Sequence, residues 1–153
     1  MDQQAHRTAT AHARSSEQGW NLVFVCWFVA ATCTLGALFF SEVMDLPPCV
    51  LCWYQRVFMF PLAILLPIGL FPFDPKIVRY ALPLSATGGA IALFHLLLTW
   101  GLIPENARPC TQGVPCGVNQ IEWFGFVSIP MLSLAGFSVI TALLLAARYR
   151  MSK

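Results

Sequence analysis

Pro47-Pro48-Cys49-Val50-Leu51-Cys52-Trp53-Tyr54-Gln55-Arg56, with the uncharged run Val57 to Phe73 behind it, is the stretch on which the reading of this chain turns. Two prolines end any preceding helix and suit a helix start, so Cys49 is predicted at or near the first turn of a helix that continues into the apolar run. At ~1.5 Å per residue that run covers most of a ~30 Å hydrocarbon core. Pro61 and Pro67 interrupt it, which predicts a tilted or kinked span extended at its start by the residues around Cys52. The stretch therefore places two thiols where a membrane helix meets water.

Three more uncharged runs lie outside it: Trp20 to Phe40, Tyr80 to Ile103 and Trp123 to Ala147. Of the 153 residues 58% are hydrophobic and only 10% charged, far from the quarter or so that is charged in soluble domains. The expected fold is an all-α membrane protein, an antiparallel four-helix transmembrane bundle with two cysteine-bearing loops on one side. Residues 20–147 form a single domain in this reading, with a polar, disordered tail over 1–19 and a short tail over 148–153. Arg7 and Arg14 ahead of the first run raise the alternative of a cleaved signal peptide. That run is longer than a signal core and no clean small-residue cleavage site follows, so it is read as a retained helix.

Basic residues orient the bundle. Four spans put both termini on one side, with Arg7, Arg14, Lys76, Arg79, Arg148, Arg150 and Lys153, against Arg56 and Arg108 opposite. The positive-inside rule then assigns the termini and the Phe71 to Arg79 turn to the cytoplasm and both cysteine pairs to the outside. In a bacterium that outside is the periplasm or outer surface, where disulfides persist. The net charge of +2 gives no reason to invoke nucleic acid, because topology accounts for the basic residues.

At a helix start, unpaired backbone N–H groups favour thiolate over thiol, and Arg56, one turn after Cys52, is expected to lower the Cys52 thiol further. A CxxC taken alone also fits a zinc half-site or a static bridge, and Arg56 taken alone fits a side chain reaching to the interface. No metal site is expected. The second pair lies in Arg108-Pro109-Cys110-Thr111-Gln112-Gly113-Val114-Pro115-Cys116-Gly117, whose prolines and glycines predict an exposed turn-rich loop. A bridge closing it suits exchange with a soluble partner; the alternative is a structural staple. Cys26 and Cys33, seven apart on the first span, read as packing residues. His95, about eight residues before the outer end of the third span, sits ~12 Å below the boundary, a depth Arg56 also reaches. The two are expected to share a site, with Trp53, Tyr54, Phe58, Trp100 and Trp123 near the same level. A lipid-soluble two-electron acceptor near Cys52 is what such a site calls for, and a quinone, with its apolar tail, flat ring and carbonyl oxygens, meets that description.

On these residues the chain resembles the disulfide bond formation protein B family, DsbB, of bacterial inner membranes. The run Pro48 to Arg56, the four spans and the second outward pair carry the resemblance, which covers roughly Glu42 to Phe137. It implies a thiol:quinone oxidoreductase that reoxidises a thioredoxin-like periplasmic oxidant, DsbA or a relative, and draws on the respiratory pool of ubiquinone or menaquinone. It implies that Cys110 exchanges with the partner, that Cys116 completes that pair, that Cys49 receives its electrons, and that Cys52 meets the quinone beside Arg56, with His95 near the ring. Only five residues separate Cys110 from Cys116, which is similar to the short-loop branch named BdbC. Position 55 is Gln where many relatives carry Glu. The competing classes are a structural tetraspan protein with static disulfides and a Cys-ligated metal protein. Within the enzyme class, a vitamin K epoxide reductase-like protein would carry its CxxC late in the bundle, unlike Cys49 and Cys52.

Overall fold

The computed structural model describes residues 2–103, 122–123 and 127–151. Four helices dominate: α1 (Asp2–Leu38), α2 (Val50–Leu70), α3 (Ile77–Thr99) and α4 (Ile129–Met151). Four helical stretches are long and apolar enough to cross a bilayer, Ser16–Val43, which continues α1 into a π-helical turn, Val50–Leu70, Ile77–Thr99 and Ile129–Met151, so the chain is a multi-pass membrane protein whose spans are all helical. Neighbours pack in the ring α1–α2–α3–α4 and back to α1, while α2 and α4 barely meet across the diagonal. In such an up-down-up-down ring, ligand sites are built from side chains on facing helices.

The helix ends follow local chemistry. Cys49 is the N-cap of α2, in extended conformation, and its sulfur accepts a hydrogen bond from the Cys52 backbone N–H at 3.4 Å. The helix then runs through Pro61 and Pro67, whose missing N–H groups leave carbonyls one turn back without their usual donor. Helix α3 ends in a Schellman arrangement: Leu102 N–H bonds the Leu97 carbonyl, Gly101 N–H bonds that of Leu98, and Gly101 takes φ 72°, the left-handed region open to glycine. At the far end Asp74 ties down the α2–α3 turn, its carboxylate accepting from Lys76 N–H at 3.0 Å and its own N–H reaching the Gly69 carbonyl at 2.8 Å.

Two expectations change. The tail over 1–19, read as disordered, is helical from Asp2 as part of α1. Its alanines and glutamines contain no Gly or Pro before Gly19, and residues added to an existing helix carry no nucleation cost. The fourth run also begins differently, since its first residues form β1 (Glu122–Trp123) and β2 (Val127–Ser128), antiparallel with Glu122 opposite Ser128 and Trp123 opposite Val127. Aromatic Trp123 and β-branched Val127 are residue types that strands favour, and Pro130 is tolerated only in the first turn of the helix that follows.

The core runs along the bundle axis: Val23, Cys26 and Ala30 from α1, Leu62 and Leu66 from α2, Ala81 and Ala92 from α3, Phe137, Ile140 and Leu144 from α4. Lipid is as apolar as these side chains, so close packing and interhelical hydrogen bonds must hold the helices together. Gly88 on α3 faces the Phe137 ring so closely that a Cβ there would collide with it. Nearby, Thr141 on α4 donates to Ser85 on α3 at 3.1 Å, and Ser85 in turn donates to the Leu82 carbonyl at 3.0 Å. Large apolar side chains such as Phe28, Leu35, Val57, Ile64, Ile68, Val139 and Leu145 point outward, where lipid would meet them.

Candidate functional site

The start of α2 gathers most of the chemistry predicted from sequence. Cys49 and Cys52 lie one turn apart with their sulfurs 3.0 Å from each other, both as free thiols. Cys49, Leu51 and Leu98 form a small buried cluster that fixes the end of α2 against the end of α3. Across it stands His95, 3% exposed, with Nε2 at 3.8 Å from the Cys49 sulfur. Its Nδ1 lies 3.1 Å from Nε2 of Gln55, itself 6% exposed. With the Gln55 amide donating to Nδ1, the imidazole proton sits on Nε2 and points at the Cys49 sulfur.

That environment favours charge on Cys49. Its thiol is pushed down from 9.0 to about 4, chiefly by the hydrogen bond from Cys52; burial opposes this, while His95 and the Cys52 backbone N–H add to it. The sequence predicts that the helix start favours thiolate and that Arg56 lowers the Cys52 thiol further; in the structure the Cys52 thiol, the Cys52 backbone N–H and the buried imidazole converge on Cys49.

Arg56 is held by two contacts. Its Nη2 donates to the Ala37 carbonyl at 2.8 Å, and the guanidinium carbon lies 5.3 Å from the centre of the Trp53 ring. Ala37 precedes a π-helical turn over Phe39–Val43, where the regular four-residue ladder gives way, and the same carbonyl also accepts from Ser41 Oγ at 3.2 Å. Arg56 thus pins α2 to the end of α1.

A cavity of about 130 Å³ opens beside it, in the gap between diagonal helices. Cys33 and Ala37 of α1, Cys52, Gln55, Arg56, Met59 and Phe60 of α2, and Leu132, Ser133 and Phe137 of α4 form its wall. It is close in size to the ~150 Å³ apolar cavity that takes up a benzene ring. Cys52 and Arg56 therefore share one wall, as expected. His95 does not belong to that wall: it is joined to it through Gln55 and faces Cys49. Cys110 and Cys116 lie outside the described residues.

Four contributors escaped the sequence reading. Gln55 stood out there only as a departure from relatives, yet it links cavity and imidazole. Cys33, set aside as packing, lines the cavity with Ala37 one turn on; their four-residue spacing was the available signal. Ser133 and Phe137 come from α4, whose distance in sequence hid them. Cys26 is a packing residue as expected, fully buried with its sulfur 3.8 Å from the Ile140 carbonyl.

Four spans with a dithiol at the mouth of one of them define an integral-membrane protein of thiol–disulfide chemistry. The sequence agrees in detail, because residues 18–147 match the family described as disulfide bond formation protein DsbB. The chain belongs to that family, and with it to the disulfide-forming proteins of membranes. It is 48% identical over 132 residues to a probable disulfide formation protein of Metapseudomonas resinovorans, covering 86% of this chain and 92% of that one. Disulfide bond formation protein C of Bacillus subtilis is 41% identical over 118 residues, covering 77% of this chain and 86% of its own. A probable disulfide formation protein of Deinococcus radiodurans is 39% identical over 139 residues, 85% of this chain and 90% of that one. No solved structure matches the chain.

Proposed function

We propose that the protein is a thiol:quinone oxidoreductase that reoxidises a thioredoxin-like, DsbA-like dithiol oxidase outside the cytoplasm. The observation that carries this reading is the placement of Cys52 and Arg56 on one wall of a largely apolar cavity, with the Cys49 sulfur one turn back and 3.0 Å from that of Cys52. The wall suits a quinone: Phe60, Phe137 and Met59 offer apolar surface to a flat ring, and Arg56, Gln55 and Ser133 offer donors to its carbonyl oxygens. A bound quinone, ubiquinone or menaquinone, supplies the oxidising equivalent by taking two electrons and two protons from the dithiol.

The chain's own residues do the rest. A reduced partner attacks the Cys110–Cys116 disulfide, forming a mixed disulfide with Cys110 that its second thiol resolves; the partner leaves oxidised and the loop pair reduced. Exchange between the pairs then oxidises Cys110–Cys116 again and leaves Cys49 and Cys52 as the dithiol. His95 and the α2 start hold the Cys49 sulfur as a thiolate, the species competent in exchange. Burial of Cys49 against Leu51 and Leu98 limits the access of bulk thiols to it. The predominance of basic residues at the end bearing the termini supports a cytoplasmic position for both termini and an outward one for the cysteines, in a bacterial inner membrane.

The deciding experiment mixes the purified chain with a reduced thioredoxin-like protein and a soluble quinone. Catalytic oxidation of the partner, with quinone consumed in equal amount and lost in a Cys52→Ser variant, is the expected result. Bridges that stay intact against the reduced partner would instead make the chain a structural tetraspan protein.

A further inference from the structure

A CxxC offers only half a metal site, and its spacing alone gave zinc little support. The fold changes this by bringing a third donor. The sulfurs of Cys49 and Cys52 and a ring nitrogen of His95 all lie within 4.8 Å of one another. Tetrahedral zinc, with bonds of ~2.3 Å to sulfur and ~2.0 Å to nitrogen, separates two sulfurs by ~3.8 Å and a sulfur from a nitrogen by ~3.5 Å. The observed separations are 3.0 Å between the sulfurs and 3.8 Å from Cys49 to Nε2, so small side-chain rotations suffice.

The surroundings fit as well. A metal-bound histidine commonly has its other ring nitrogen held by a carbonyl or carboxylate. Gln55 lies 3.1 Å from Nδ1 through its amide nitrogen, and half a turn of that amide presents the carbonyl oxygen there instead. Nε2 is then left bare toward the sulfurs. Two thiolates would neutralise a divalent cation, and the small apolar cluster of Cys49, Leu51 and Leu98 keeps competing water away.

We infer that Cys49, Cys52 and His95 form a redox-gated site for a borderline or soft divalent cation, zinc above all, and that its occupation arrests the protein in the reduced state. Binding displaces the remaining thiol protons and changes no oxidation state. The site exists only in the dithiol, since a Cys49–Cys52 disulfide has no thiolate to give. Conversely no disulfide forms between two sulfurs while both hold the metal. The binding stands independently of the oxidase reading; the arrest of turnover rests on it.

Cadmium, whose thiolate complexes absorb in the ultraviolet, is the probe, with zinc as competitor. The full chain is purified in detergent, reduced, freed of reductant and titrated. One equivalent is expected to bind to the reduced chain and none at this site to the oxidised one. Replacement of Cys26, Cys33, Cys110 and Cys116 together by Ala is expected to preserve the absorbance, whereas His95→Ala and Gln55→Leu weaken binding by about tenfold or more. Zinc should also shield Cys49 and Cys52 of the unmodified chain from alkylation, read by mass spectrometry of the α2 peptide, which keeps the test independent of how any variant folds. Equal affinity for oxidised and reduced chains, unaltered affinity after His95→Ala, or unshielded α2 cysteines would overturn the site. Since none of these readouts needs an electron acceptor, failure of the site and failure of the oxidase reading separate cleanly. Turnover that continues undiminished at saturating zinc, and is unaltered by a chelator, would overturn the arrest alone.

Discussion

Cys49 has two tasks, because its backbone begins α2 while its sulfur faces Cys52, the Cys52 N–H and His95 at once. The charged form is the one those neighbours favour, and the sign of the consequence follows. A folded value near 4 against an ordinary 9.0 means that the thiolate adds stability above pH 9, which drains away as pH falls through the folded value. Alkylation of Cys49 in the reduced chain is therefore expected to stay near its maximum down to about pH 6, where an unperturbed thiol is almost entirely protonated. A rate that tracks an ordinary thiol would show that the sulfur lacks this support. Arg56 differs in kind, since its bond to the Ala37 carbonyl and its place over Trp53 are structural as well as electrostatic. Arg56→Ala is expected to raise the quinone KM about tenfold or more and to cost about 1–2 kcal/mol of stability. Arg56→Lys should retain part of the first effect, because an ammonium keeps the charge without the planar fork. Quinone titrations and thermal unfolding in detergent separate the two.

Among the elements, α3 and α4 depend on one close approach. A methyl group at Gly88 meets the Phe137 ring, so Gly88→Ala should destabilise the bundle by about 1–3 kcal/mol, measured by unfolding in mixed micelles. Phe137 also lines the cavity, so the same change should weaken quinone use. Unaltered stability and unaltered quinone response would together show that the ring moves freely. The four spans themselves were legible in the sequence, since gaps between charged residues need no tertiary information. The start of α4 was not, because Trp123, Val127 and Ser128 lie in a run as apolar as a membrane helix, and composition alone does not distinguish paired strands from another helical turn. The start of α2 was legible from Pro47, Pro48 and the apolar run. Which sulfur would meet His95 was not, because that depends on the rotation of α3 about its axis, which a nearly all-apolar helix does not declare. Gln55 was visible as a substitution for Glu, but its function as the link between imidazole and cavity needed both helices in place.

At the scale of the whole molecule, a polar tie between Arg150 Nη1 and Gln18 Oε1 at 3.2 Å closes the end that bears the termini, while the cysteine end has the diagonal gap. Sidedness can be read by single cysteines in a chain otherwise free of accessible thiols. Glu42→Cys is expected to react with a membrane-impermeant maleimide added outside intact cells, and Lys76→Cys only after the cells are opened; both positions are exposed. The reverse pattern would invert the bundle and place its chemistry in a reducing compartment. The gap between α1, α2 and α4 has Leu132, on the outer surface of α4, at its rim. An oxidant entering by that side door arrives by two-dimensional diffusion within the leaflet and never crosses water. The quantity that governs supply is then the number of acceptor molecules per lipid. Spreading a fixed amount of oxidant through extra empty bilayer starves the protein, while diluting the surrounding buffer leaves it fed.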